Sequence, residues 1–397
     1  MWLGIGISAV VMSSDFVLKN NNRQVRLFRG SAGLDALEVE WRALVAELPD
    51  PRFIHFLAWY KSHLENTETN PGEVVFILLC ESSRPLAIFP LRRTTLRSFG
   101  LTLRTWEIFW QNDMGICDFV FVKTETDNRL LQSLLETLNA SKELAWDMLR
   151  LQDTLDDSCA LHALKLSRLP LSLSVLHHYS KYIRCDADYE AVMSRVSGSF
   201  RRNVRRQAKK LNELGAVEYR FVSAAEDLDQ AFEHFLRAEA SSWKGDAGSG
   251  SAILLNPGKV SFYRTLMREF STRNACAINL ILVDGVCIAS QFCLMAGDTL
   301  YLLKIGYSEE FRAMGPGNVL LNELLQRCCM DTNIKKLSFI TGANWNDSWA
   351  PEQQDVYDNR IFNATFPGVS VFLLEKIKDQ GRHIKHLMQR VRSRNPS

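Results

Sequence analysis

The stretch Ala277–Ile305 reads AINLILVDGVCIASQFCLMAGDTLYLLKI and consists of apolar, β-rich runs separated by short turn segments. Asp284-Gly285 between two such runs is a strong signal for a type I′ hairpin, and Gly297-Asp298 supplies a second tight turn. The stretch therefore predicts an antiparallel meander. Its strands are predicted over Ala277 to Val283, Val286 to Met295 and Thr299 to Ile305.

A glycine-rich loop, Arg312-Ala-Met-Gly315-Pro316-Gly317-Asn318, follows the meander. An apolar helix is predicted directly after it, over Val319 to Cys328, and then a strand, Lys336 to Ile340, parallel to the last meander strand. Glycines let the backbone approach a ligand closely, and the first N–H groups of a helix lack internal partners. The loop is therefore suited to bind an anion such as a pyrophosphate. On these residues alone it is equally a simple turn in which Pro316 starts the helix.

Composition limits the class of protein. With 397 residues the chain is long enough for two packed domains, and its 46% apolar and 23% charged residues are typical of a globular protein. A net charge of +2 is too small for a dedicated nucleic-acid binder. The nine cysteines show no C-x-x-C spacing and no histidine cluster beside them, so we expect no disulfide framework and no metal.

The loop resembles the pyrophosphate motif of GNAT acetyltransferases, Arg/Gln-x-x-Gly-x-Gly/Ala, at Arg312, Gly315 and Gly317. A Rossmann loop would instead follow a parallel strand near the start of a βαβ unit. Over about residues 25 to 375 the chain looks like the tandem-GNAT proteins of bacterial polysaccharide and cellulose loci, which are related to Fem-type aminoacyl transferases. The order of several short segments carries this resemblance: Trp41, Phe53–Trp59, Ala87–Leu91, Phe200–Arg206, Gly306-Tyr307 and Phe339–Gly342.

The resemblance implies an α/β (α+β) fold of two tandem GNAT-like units, each a mixed, mainly antiparallel twisted sheet flanked by helices. We expect an N-terminal extension (1–22), a degenerate GNAT-like domain (23–152), a connector (153–181), a GNAT acyltransferase domain (182–375) and a basic C-terminal helix or tail (376–397). The first domain is predicted not to bind coenzyme. Between Leu91 and Trp106 it offers only Ser98-Phe-Gly100 and no Gly-x-Gly at a helix start.

Elements of the first domain follow from periodicity. A helix is predicted over Leu34 to Leu48, where Pro49 stops it, and another over Arg129 to Leu138. The predicted strands are Val74 to Leu79, Pro85 to Leu91, Trp106 to Phe109, Phe119 to Val122 and Trp146 to Leu151. In the second domain, helices are predicted over Tyr189 to Leu214, Asp227 to Ser242 and Val260 to Thr272.

An acyl-CoA, acetyl-CoA in particular, is the co-substrate that the resemblance implies, bound by Arg312, Gly315, Gly317 and Asn318. Direct attack on a thioester needs a base, a partner for the oxyanion and a proton donor for the thiolate. The candidates for these roles are Lys304, Asp347 and Tyr357, and for each an exposed structural position is the alternative reading.

The acceptor side is less well marked. Arg202 and Arg206 fall on one face of a basic helix, and with Trp345 they are candidates for substrate binding. A solvated face, or nucleic-acid binding, is the alternative for the arginines. The related proteins usually carry a lysine after the glycine at position 342, and this chain has Ala343-Asn344 there, which leaves the acceptor and even the activity open.

These features predict an N- or O-acyltransferase, acetyl transfer above all, that acts directly on a carbohydrate or polysaccharide precursor. Two alternatives stay open: a non-catalytic binding or assembly protein of a polysaccharide-synthesis system, and a Fem-type aminoacyl transferase. The first dozen residues are apolar but too few to span a membrane, and no basic segment precedes them, so no secretory signal is expected. We expect a cytoplasmic protein. Its basic amphipathic C-terminal segment is a candidate for contact with the inner face of the membrane.

Overall fold

The computed structural model describes residues 14–17, 23–66, 70–109, 115–124 and 126–379. These residues form two compact units. Of the described residues, the first unit comprises those within 14–36, 72–177 and 357–379, and the second comprises those within 37–71 and 178–356. The apolar N-terminus and the basic C-terminal segment of the sequence analysis lie outside the described residues.

The strands, in chain order, are β1 (Ser14–Val17), β2 (Arg23–Arg29), β3 (Val74–Glu81), β4 (Arg84–Ser98), β5 (Leu101–Ile108), β6 (Met148–Leu155), β7 (Ser172–Arg184), β8 (Val217–Val222), β9 (Cys276–Val283), β10 (Val286–Ala296), β11 (Thr299–Tyr307), β12 (Lys336–Ser338) and β13 (Glu352–Phe362). The helices are α1 (Gly30–Ala36), α2 (Glu38–Glu47), α3 (Leu57–Asn66), α4 (Asp127–Ala140), α5 (Cys159–Ser167), α6 (Tyr189–Ser194), α7 (Gly198–Asn212), α8 (Ala225–Ala240), α9 (Pro257–Ser271) and α10 (Pro316–Met330), and residues 366–379 are also helical. No helix in this part of the chain is long and apolar enough to cross a membrane.

In the second unit, the predicted meander is confirmed as β9, β10 and β11. Asp284-Gly285 joins β9 to β10, and both residues have positive φ, as a type I′ turn requires. β8 extends the antiparallel sheet beside β9. On the other side β12 pairs parallel with β11 after the crossover helix α10, and it pairs antiparallel with the end of β7.

The pairing of β11 with β12 is short, and this shapes the site. Only Thr299–Tyr301 pair with β12, whereas β11 continues to Tyr307. Among the described residues, no strand therefore pairs with Leu302–Tyr307 on that side. Backbone groups of this segment form a free edge of β11 inside the unit.

Two apolar layers cover the two faces of this sheet. On one face Phe292 packs against Phe232 and Phe235 of α8 and Tyr263 of α9. On the other face, the buried side chains of α10 belong to two clusters, one shared with residues of α6 and α7 and one shared with α7. The helix presents them at spacings of three and four residues: Val319, Leu320, Leu321, Leu324, Leu325 and Cys328.

The first unit has the same local connectivity. β1 to β5 pair antiparallel in chain order, and β6 pairs parallel with β5 after helix α4. The segment β5–α4–β6 is therefore arranged as β11–α10–β12 is in the second unit. The predicted class, a mixed and mainly antiparallel α/β fold in two units, is confirmed.

Several predicted elements differ in detail. The strand predicted over Phe119 to Val122 is wrong, because only isolated bridges, Ile88 with Val120 and Cys117 with Thr154, form there. The helix predicted over Tyr189 to Leu214 is two helices, since the Ser197 hydroxyl accepts a hydrogen bond from the Phe200 amide and caps α7. The helix predicted over Leu34 to Leu48 likewise divides, at Leu37, into α1 and α2.

The division into units also differs from the one drawn on the sequence. Residues 14–17, placed in an N-terminal extension, form strand β1. Helices α2 and α3 belong to the second unit, where Phe56 packs on Phe270 and Trp59 on Phe262 of α9. Residues 357–379 belong to the first unit, and the connector contains α5 and β7.

Candidate functional site

A cavity of about 570 Å³ opens in the second unit around the start of α10. The volume is in the range of small-molecule sites. Its walls come from the free edge of β11, the first turn of α10 and the segment that follows α8. Of β11, the residues Leu302, Ile305, Gly306 and Tyr307 line it.

The start of α10 is built by its two glycines. Gly315 has φ +58°, a left-handed conformation that favours glycine, and an ideal Cβ there would also overlap the side-chain amide of Gln207 on α7. Pro316 has no N–H, and the Asn318 amide donates to the Gly315 carbonyl at 3.0 Å. Within the described chain, the Gly317 amide has no backbone acceptor. One N–H at the positive end of a helix therefore lines the cavity.

Arg312 and Asn318 line the same cavity. The Arg312 side chain is 74% exposed, and its guanidinium lies 3.7 Å from Glu309. An ion pair of this length at the surface is weak, so the guanidinium can turn to another anion at little cost. The structure thus brings together Arg312, Gly315, Gly317 and Asn318, the residues expected to bind the coenzyme.

A lysine in the wall of this cavity, Lys244, is held by a buried acid behind it. Glu239 is 2% exposed, and its carboxylate lies 3.2 Å from Lys244 Nζ and accepts from the Ile253 amide at 2.8 Å. Lys244 Nζ also donates to the Ile305 carbonyl at 2.9 Å, on the free edge of β11. Gly306 makes room for this arrangement, because an ideal Cβ there would lie 2.5 Å from Glu239 Cα.

Two hydroxyls complete the polar lining. Ser290 is 1% exposed, and its Oγ has no hydrogen-bond partner among the described residues. A buried hydroxyl without a partner is costly and points to a ligand or an ordered water. Burial and the nearby Glu309 carboxylate raise the pKa of the Tyr307 hydroxyl, so this side chain is protonated at neutral pH.

The three candidate catalytic residues are not brought together at this cavity. Lys304 does not line it, and its ammonium lies 5.9 Å from the ring centre of Tyr263 on α9. Asp347 does not line it either, and its carboxylate pairs with Lys181. Tyr357 lies in the first unit, where its carbonyl accepts from Thr154 Oγ1 at 3.2 Å.

Lys181 supplies a lysine to the segment where the sequence lacks one. Its side chain is 4% exposed, and Nζ donates to the Ala343 carbonyl at 3.4 Å and to the Asp347 carboxylate. The ammonium comes from β7, a strand distant in sequence, so no local motif could reveal it. The departure at Ala343-Asn344 therefore does not remove an ammonium from this loop.

The three predicted substrate residues also separate. Trp345 lines the cavity, is 45% exposed and makes an edge contact with Phe339 at 5.4 Å between ring centres. Arg202 and Arg206 are exposed on α7 and do not line the cavity. Arg206 donates to the Asn203 side chain at 2.8 Å.

In the first unit, the helix that corresponds to α10 begins differently. α4 starts at Asp127, which is fully buried, and its carboxylate accepts from the Thr124 amide at 2.9 Å and the Thr124 hydroxyl at 2.7 Å. This acidic side chain in the first turn of α4 makes the helix start unfavourable for a second anion. The corresponding loop follows β5, so it lies beyond the segment between Leu91 and Trp106 that lacks a Gly-x-Gly.

Sequence reasoning missed Glu239 and Lys244, although one signal was present. Glu239 continues the apolar stripe of α8 formed by Leu228, Phe232, Phe235 and Leu236. A carboxylate on a buried face needs a partner, and the first cation after it is Lys244.

Comparison with known proteins supports this description. Residues 198–348 match a family model described as "Acetyltransferase (GNAT) domain". No curated protein is significantly similar to the chain in sequence.

Two solved structures resemble the chain in fold. A structure described as FemX is 11% identical with a TM-score of 0.54, covering 81% of this chain and 95% of its own. The C-terminal domain (DUF2156) of a putative lysylphosphatidylglycerol synthetase from Agrobacterium fabrum is 9% identical with a TM-score of 0.50, covering 85% of this chain and 95% of its own. At such identities the likeness concerns the fold alone. The domain match characterises the protein as an acyltransferase whose second unit contains a GNAT-type domain.

Proposed function

We propose that this protein transfers an acyl group, in the first place acetyl, from an acyl-CoA to an amine or hydroxyl group of a carbohydrate. The observation that carries the proposal is the cavity itself. It brings together a helix N-terminal amide and a buried hydroxyl, neither with a partner among the described residues, the exposed Arg312 guanidinium and the free edge of a strand.

The residues present fit the parts of a CoA thioester. The Gly317 amide, the helix N-terminus and Arg312 suit a pyrophosphate. Peptide groups of Leu302–Tyr307 suit the amide-containing arm of the coenzyme, because amides pair with a free strand edge as another strand would. The thioester, when bound, supplies the activated acyl group.

The chain's own groups would then position the reactants. Glu239 and Lys244 neutralise each other at the β11 edge, which keeps a buried charge pair where the acyl end would lie. Trp345 offers a flat apolar surface at the cavity wall, suited to the C–H face of a sugar ring. The proposal of a carbohydrate acceptor is based on this ring and on the resemblance of the sequence to proteins of polysaccharide loci. We place the activity in the cytoplasm.

A second candidate is Fem-type aminoacyl transfer, favoured by the basic face of α7 with Arg202 and Arg206. Transfer from a charged tRNA would not require the glycine-lined anion site at α10. That site therefore favours the CoA thioester. A purely binding role in a polysaccharide-synthesis system would retain the cavity but show no turnover.

The test is release of free CoA thiol from acetyl-CoA, measured with a panel of amino sugars and neutral oligosaccharides. We expect acceptor-dependent thiol release that the Gly317→Val variant loses. Coenzyme binding without release for any acceptor would favour the binding role. If acetyl-CoA neither binds nor reacts, the proposal is wrong.

A further inference from the structure

The far wall of the cavity gathers hydrogen-bond donors on one face of the sheet. Ser290 and Gly306 are directly opposed in the β10–β11 register, so their side-chain positions share a face. An ideal Cβ built on Gly306 would point at Glu239 at the end of α8, so this face of the sheet is directed toward the end of α8. Ser290 Oγ is therefore directed toward the region that contains Glu239 and Lys244.

The ammonium of Lys244 is held beside the same part of β11, next to Gly306. It donates to the carbonyl of Ile305, the residue before Gly306, and is held by Glu239 at 3.2 Å. Only 18% of the Lys244 side chain is exposed, so its charge is weakly screened by water. Ser290 and Lys244 thus place a hydroxyl and an ammonium beside the free edge of β11, both in the wall of one cavity.

We infer that Ser290 Oγ and Lys244 Nζ are the donors that bind the acyl carbonyl oxygen of the thioester and stabilise the negative charge that develops on it during transfer. This inference rests on the proposed function. It explains why a hydroxyl as buried as Ser290 has no partner within the described protein, because its partner is the substrate. It also explains why a lysine is fixed by a buried carboxylate, since fixed donors need no reorganisation during reaction.

The balance of the step is simple. The acceptor's nitrogen or oxygen forms a bond to the carbonyl carbon, the carbon–sulfur bond breaks with its electron pair on sulfur, and the acceptor's proton ends on the CoA thiol. Ser290 and Lys244 are unchanged at the end. Their contribution is electrostatic, and loss of one such donor typically lowers kcat by roughly 10² to 10³-fold.

The experiment needs no acceptor. Isotope-edited infrared spectroscopy with acetyl-CoA carrying ¹³C at the carbonyl would be recorded on the full chain, on Ser290→Ala and on Lys244→Met. Ser251→Ala and Lys210→Met, at exposed positions, are the matched controls. Calorimetry establishes first that each variant binds acetyl-CoA.

In the parent protein we expect the carbonyl band at lower wavenumber than for free acetyl-CoA, because hydrogen bonds weaken the C=O bond. The band should move back toward the free value in Ser290→Ala and Lys244→Met and stay in both controls. Ser290→Ala removes only an unpartnered oxygen, so it judges the inference even if Lys244→Met destabilises the protein. A bound acetyl-CoA whose band equals the free value, or does not move in the variants, overturns the inference and leaves the proposed function standing. Failure of the parent to bind acetyl-CoA overturns both.

Discussion

Substitution of Gly317 by valine separates coenzyme binding from folding. An ideal Cβ at this position would meet only Cδ1 of Tyr307, at 3.8 Å, which is an ordinary van der Waals contact. The backbone there is not in the left-handed region, so a side chain introduces no strain. Replacing glycine at a compatible position reduces the conformational entropy of the unfolded chain, which stabilises the fold. Valine is only a modest helix former, which limits this gain. The free energy of unfolding should therefore change by no more than about 1 kcal/mol.

Binding should respond differently, because the valine side chain would project into the cavity in front of the Gly317 amide. A hydrogen bond between that amide and a phosphate is charge-assisted and worth about 1.5–3 kcal/mol, which corresponds to roughly 10 to 150-fold in Kd. Calorimetric titration with acetyl-CoA measures the loss, and thermal unfolding checks the fold.

The matched control is Gly198→Val, at the first residue of α7. An ideal Cβ at Gly198 would meet only arginine side-chain ends, the nearest at 3.5 Å, and the position lies outside the cavity. This control should bind acetyl-CoA like the parent. If Gly317→Val also binds like the parent, the reasoning about the loop is refuted.

Arg312→Ala should leave the melting temperature almost unchanged, because its long surface ion pair contributes at most about 1 kcal/mol, and should weaken acetyl-CoA binding by roughly 10 to 150-fold in calorimetry. Gly306→Ala should lower the free energy of unfolding by about 1–3 kcal/mol in urea titrations, since its Cβ would collide with the backbone of α8; a stability equal to the parent's contradicts the packing described. Burial acts against ionisation of Asp147, but hydrogen bonds from Arg104 and Thr365 outweigh it and hold the pKa of this carboxyl below its usual value. The ionised carboxylate therefore stabilises the fold fully above about pH 4, and this stabilisation is lost as the pH falls through the lowered pKa. Asp147→Asn should lower the free energy of unfolding at pH 7, and unfolding curves should show this difference shrinking below about pH 4. Burial raises the pKa of Cys276 to about 12, and all nine cysteines are free and none is exposed. The native protein should therefore react slowly with a thiol reagent at pH 8 and rapidly after denaturation. Fast labelling of the native protein would contradict this.

The elements around the site could be predicted because their signals are local. Asp284-Gly285 fixes one hairpin, and the apolar spacing of α10 fixes the helix that follows the loop. Gly315 and Gly317 were recognisable because a positive φ and an open helix start both require glycine or favour it. These features depend on a few neighbouring residues, which is why sequence reasoning reached them.

Other parts of the site depend on contacts between residues that are distant in sequence. Lys181 reaches Asp347 from another strand, and Lys244 reaches the Ile305 carbonyl from the segment after α8. Neither lysine belongs to a motif. Lys304 interrupts an apolar strand, but its ammonium lies near the Tyr263 ring of α9 and outside the cavity.

Unit membership could not be predicted for the same reason. The apolar faces of α2 and α3 indicate that these helices are buried, but they do not indicate which element packs against them. In the structure, α9 of the second unit is among the elements that do. Likewise, Phe119 to Val122 has the composition of a strand, yet only Val120 forms a bridge. Composition indicates that such residues are buried, whereas pairing depends on what lies beside them.

We expect the protein to have one coenzyme site, at the start of α10 in the second unit. Calorimetric titration of the full chain with acetyl-CoA tests it most directly, because it yields affinity and stoichiometry together. We expect one acetyl-CoA per chain, since the corresponding helix of the first unit begins with a buried acidic side chain. Two equivalents per chain would show that the first unit also binds coenzyme, and no binding at millimolar acetyl-CoA would rule out the coenzyme site at α10.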